Sequence, residues 1–67
     1  MKSRAICYRN NKEIKTFFDV IKVKPNHKYG YFEITQKIYH HEIINPERFI
    51  DRVVLIDKDG LKKEYVL

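Results

Sequence analysis

Eleven consecutive residues, Lys22 to Phe32 (Lys-Val-Lys-Pro-Asn-His-Lys-Tyr-Gly-Tyr-Phe), interleave positive charge with aromatic rings around a proline and a glycine. An ammonium group neutralises phosphate, and a tyrosine ring offers a flat face on which a base can stack, worth roughly 1–3 kcal/mol per base. Lys37 and Tyr39 continue the same mixture into the following segment. The candidate nucleic-acid-binding residues are therefore Lys22, Lys24, His27, Lys28, Tyr29, Tyr31, Lys37 and Tyr39. Lys22, Lys24 and Lys28 are expected to meet phosphates, and Tyr29, Tyr31 and Tyr39 to supply stacking. The same composition also suits a solvated hairpin loop whose tyrosines cover a strand edge.

Other chemistry is thinly represented. His27, Lys28 and Tyr29 are the residue types of an acid–base RNA-cleaving site, but so short a chain offers little concave volume. Tyr39-His40-His41-Glu42 contains possible metal donors. On a strand, however, His40 and His41 face opposite ways, and no Cys-x-x-Cys or His-Glu-x-x-His spacing is present. Cys7 has no neighbouring base and reads as an inert thiol in the first strand. Two glycines, Gly30 and Gly60, make no phosphate-cradling loop. The expectation is a binding protein without catalytic residues, metal or cofactor.

Over five residues, Lys28-Tyr29-Gly30-Tyr31-Phe32 resembles the Lys-Gly-aromatic-Gly-Phe motif of cold-shock domains, which bind single-stranded nucleic acid on an OB-type barrel. The first glycine of that motif is missing and no second aromatic motif follows, so the resemblance assigns no family.

Sixty-seven residues make a single domain, 1–67, with a thin core. The lone cysteine forbids an internal disulfide and fits a reducing compartment. No apolar run is long enough for a signal peptide or a membrane span, so the expected location is cytoplasmic. The net charge of +5 is unevenly spread. Residues 1–29 hold eight Lys/Arg against two acids, a net of +6, whereas residues 30–67 hold six against seven, a net of −1. Such a field attracts phosphate or an acidic protein surface. Two partner classes follow: nucleic acid, bound with weak sequence specificity, or a protein met through an edge strand and surface tyrosines, with a homodimer as one form of the latter.

These side chains need elements to hold them. Residues 52–56 and 61–67 flank Asp57-Lys58-Asp59-Gly60, which fits a type I turn closed by a glycine in the left-handed region and pairs Asp57 with Leu61. Residues 4–9 lead into Asn10-Asn11, a tight-turn pair, and the return strand runs from 12 to 24. That strand is expected to bulge near Phe17-Phe18, where its apolar residues change face. The alternative is a helix at 12–22, because Ile14, Phe17, Phe18 and Ile21 have helical spacing behind an Asn10/Glu13 capping box. Residues 25–30 read as a turn. Tyr31 to His41 alternates as a half-exposed strand with Tyr31, Lys37 and Tyr39 on its outer face. Asn45-Pro46-Glu47 has the pattern of a helix start, giving a short helical turn near 46–51. The sum is an all-β chain, a small five-stranded barrel of OB-like or SH3-like type, or an α+β fold if the helix at 12–22 forms.

Overall fold

The first hairpin forms where the asparagines place it. β1 (Arg4–Arg9) and β2 (Lys12–Phe18) pair antiparallel with Arg9 opposite Lys12, and Asn10 and Asn11 hold φ of 51° and 64°. Two successive residues at positive φ give the turn whose twist matches the strands it joins. The last hairpin is equally local. β6 (Arg52–Ile56) and β7 (Lys62–Val66) pair with Ile56 opposite Lys62. The Asp57 N–H donates to the Leu61 carbonyl at 3.0 Å, and Gly60 takes φ +85°. Asp57 also accepts the N–H groups of Asp59 and Leu61 on Oδ1, at 2.8 and 3.0 Å, which pins the turn from within.

Between these hairpins the chain builds a second sheet. The computed structural model describes residues 2–67, and in it β3 (Val20–Asn26), β4 (Tyr31–Ile38) and β5 (His41–Glu47) form a three-stranded antiparallel sheet in the order β3-β4-β5. The four-stranded sheet has the order β2-β1-β6-β7. Asp19, at φ 56°, is the corner where β2 leaves one sheet and β3 enters the other. Its backbone is satisfied from both sides: its N–H donates to the Ser3 carbonyl and its carbonyl accepts the Lys37 N–H, each at 2.9 Å. The Ser3 hydroxyl donates to Val20 O and the Gln36 amide to Phe18 O, each at 2.8 Å. Past the corner, β3 runs against β1, β6 and β7 of the first sheet.

The core lies between the sheets. Ala5, Cys7 and Val53 face Val20, Val23, Phe32 and Ile34, with Phe17, Leu55 and Tyr65 packed at its margin. Ile50, on the link from β5 to β6, inserts from the side and is 3% exposed. That link is tied to the first hairpin by Asp51, whose N–H donates to Tyr8 O and whose carboxylate accepts the Asn10 N–H.

Several expectations are corrected. Among the described residues the fold is all-β, but it has seven strands in two antiparallel sheets and forms no closed five-stranded barrel, OB-like or SH3-like. There is no helix among the described residues. The helix-like spacing at 12–22 arises because the register of β1 with β2 skips Ile14, the register of β3 with β4 skips Ile21, and Asp19 turns the corner between them. Each extra residue shifts the facing pattern by one. The bulge expected at Phe17-Phe18 is thus a corner at Asp19 flanked by two bulges. The helical turn near 46–51 is absent: Asn45 and Pro46 lie in β5 and the chain then bends into β6. Pro46 fits there because β5 is an edge strand, where a missing N–H costs nothing if it faces outward. β3 likewise extends to Asn26, so Pro25 is in a strand and not in the turn.

Candidate nucleic-acid interface

Strand alternation sorts the candidate residues. Cross-strand partners in the three-stranded sheet run Val23–Ile34–Asn45 on the core side and Lys22–Thr35–Ile44, then Lys24–Glu33–Pro46, on the outer side, where Thr35 itself is buried among its neighbours. Lys22, Lys24, Tyr31 and Lys37 consequently share the outer face. Asn26, opposite Tyr31, opens the turn at one end. Asn26 Oδ1 accepts the Tyr29 N–H at 3.1 Å, Asn26 O accepts the Gly30 N–H at 2.8 Å, and Gly30 reverses the chain at φ +69°. His27, Lys28 and Tyr29 project from this turn into solvent, with Lys28 Nζ 5.2 Å from the Tyr29 ring centroid.

Arg48 completes this end of the face, and the sequence reading did not include it. Its guanidinium lies 4.6 Å from the Tyr31 ring centroid, a cation–π contact that fixes the ring beside a second positive charge. One β4–β5 step beyond the Phe32–Glu47 pair puts residue 48 next to residue 31. Reading Asn45-Pro46-Glu47 as strand was the signal that would have found it.

Tyr39 belongs elsewhere. β4 stops at Ile38, and Tyr39 and His40, at φ 50° and 69°, form a two-residue turn to β5. Tyr39 is 89% exposed at the opposite end of β4 from Tyr31, about 26 Å away at the rise of an extended strand. The two rings do not form one stacking face. Nor does the charge segregation along the chain become one-sided in space. Lys22, Lys24 and Lys28 lie on the three-stranded sheet or its turn, whereas Arg4, Arg9, Lys12 and Lys15 lie on the four-stranded one. Within the basic face, Glu33 sits between Lys24 and Pro46, and Glu42 opposite Lys37, so positive charge predominates without being continuous.

The remaining titratable groups bear on stability. Lys15 Nζ and Glu47 Oε1 meet at 3.0 Å, joining an edge of each sheet. Beside them, Cys7 is fully buried, and its thiol pKa is pushed up to about 12 by burial first and the Glu47 carboxylate second, with Lys15 acting the other way. No group of three or more His, Cys, Asp or Glu side chains gathers to hold a metal, and no cavity opens, among the described residues. No helix among them is long and apolar enough to cross a membrane. Comparison with protein-family models, curated proteins and solved structures finds no match to this chain.

Proposed function

We propose that this chain binds single-stranded DNA or RNA on the outer face of its three-stranded sheet, without catalysis and with weak sequence preference. The observation that carries the reading is the register, which brings Lys22, Lys24, Tyr31 and Lys37 onto one face with the Lys28/Tyr29 turn at its end. Arg48 stacked on Tyr31 adds to it. In this reading Lys22, Lys24, Lys28 and Arg48 neutralise phosphates, Tyr29 and Tyr31 receive bases, and Tyr39 has no part.

Titration against salt tests it. Four neutralised phosphates give a slope of roughly −3 in log K against log salt for a single strand. Lys24→Ala should lower that slope by about 0.7, Tyr31→Ala should weaken binding about tenfold or more, and Lys58→Ala, in the distant β6–β7 turn, should do neither. Glu33→Gln removes the anion at the centre of the face and should tighten binding. Absence of binding at low salt to any single- or double-stranded probe sinks the proposal. The second reading, a module that meets a protein through an edge strand, draws support from the free edge of β5, where His41 to Ile44 are all exposed.

A further inference from the structure

We propose that the free edge of β5 pairs antiparallel with β5 of a second copy of this chain, joining two three-stranded sheets into one of six strands. Two hydrogen bonds set the phase of the backbone. The Lys37 N–H points to the β3 side, where it donates to Asp19 O, and the Ile34 carbonyl points to the β5 side, where it accepts the Asn45 side-chain amide at 3.0 Å. Backbone direction alternates along a strand. The even-numbered residues of β4 therefore bond β5 through their partners His41, Ile43, Asn45 and Glu47. Glu42, Ile44 and Pro46 are left facing away from the sheet.

That edge is short and self-complementary. Of its outward residues Glu42 and Ile44 each offer a donor and an acceptor, while Pro46 has no N–H. A register centred on Ile44 would set Glu42 against Pro46 of the second copy and lose a donor at each end. One centred on Glu42 would set two carboxylates directly opposite each other. Centring on Ile43 pairs Glu42 with Ile44 of the second copy and Ile44 with its Glu42, so all four donors find acceptors. It also sets the two Ile43 side chains face to face, burying residues that are 42% exposed in the single chain, while Ile44, 60% exposed, meets Glu42 of the second copy on the other face. The outer edges of the joined sheet are the two β3 strands, each carrying Pro25. By the same phase, Pro25 faces outward opposite Phe32, which blunts further strand addition at both ends of the joined sheet. A heterologous strand would not make the two halves of the interface equivalent.

Cysteine cross-linking reads the register directly. Across a non-hydrogen-bonded antiparallel pair the Cα atoms lie about 4.5 Å apart, within disulfide reach, whereas position 44 and its counterpart are offset by two residues and fall beyond about 7 Å. Ile43→Cys should form a disulfide-linked dimer under mild oxidation and Ile44→Cys should not; buried Cys7 stays silent in both. Sedimentation equilibrium should show the unmodified chain as a dimer and Ile43→Lys, which would set two ammonium groups directly opposite each other, as a folded monomer by circular dichroism. An unmodified chain that is monomeric at millimolar concentration, or equal cross-linking at positions 43 and 44, overturns the proposal. Neither result depends on whether the basic face binds nucleic acid.

Discussion

Cys7 shows how one side chain reports on the seam between the sheets. Its pKa is raised from 9.0 to about 12 because the thiolate would be buried and would face Glu47. The folded state therefore holds the proton more tightly than the unfolded chain does. The resulting stabilisation is complete below pH 9 and is lost as pH rises towards 12, by up to about 1.4 kcal/mol per unit. Measuring stability of wild type and Cys7→Ala across pH 8–12 isolates this contribution: their difference should be constant to pH 9 and then shift against the wild type. At neutral pH the native thiol should resist alkylation and react only as the chain opens. Rapid labelling of the folded protein would place the side chain outside the core.

Among the elements, turns carry the information that a local stretch can hold. Asn10-Asn11 and Asp57 to Gly60 were legible because positive φ and side-chain acceptors act within four residues. Gly60→Ala should cost about 1–2 kcal/mol although the added methyl meets nothing within 4 Å, because the penalty lies in the backbone at φ +85°. Gly60→Asn should recover much of it in denaturant titrations; equal losses would mean that the side chain, and not φ, is at fault. Features that depend on a distant strand were not legible. Ile14, Phe17, Phe18 and Ile21 mimic a helix because two bulges and a corner each move the facing pattern by one position. Asn45-Pro46 satisfies the demands of a helix start and of an edge strand equally, and only the presence of β4 on one side decides. The basic face was half legible for the same reason. Alternation put Lys22, Lys24, Tyr31 and Lys37 together, but Tyr39-His40 replaced the expected strand end with a turn in which the bulky Tyr39 takes a positive φ seldom adopted by such residues. Arg48 came in only through the β4–β5 register.

The whole molecule is two sheets over a thin core, and the link between them contributes one of its buried side chains. A chain of this length has a stability of roughly 3–10 kcal/mol. Ile50→Ala, at 3% exposure, should cost about 2–5 kcal/mol. The loss should appear as a lowered melting midpoint and, if the starting stability is at the low end of that range, as an incomplete native baseline at room temperature. A loss under 1 kcal/mol would show that the sandwich closes without the link. Substitution of exposed Phe49, its neighbour, should be far milder, since the ring lies mostly in solvent with the Arg9 guanidinium 4.0 Å from its centroid.

Every ladder but one joins strands adjacent in sequence: β1–β2, β3–β4, β4–β5 and β6–β7 are hairpins or near neighbours, and β1–β6 alone is remote. During synthesis β1, the earlier-made of the two central strands of the four-stranded sheet, therefore waits for its second neighbour until residues 52–56 have been made. At about 5–20 residues per second that wait lasts on the order of seconds. For that interval one whole side of β1 is bare, while the three-stranded sheet, built wholly from local pairings, is free to assemble. Nascent chains stalled before Arg52 should thus present β1 to chaperones and proteases, and completion of β6 marks the moment at which that exposure ends.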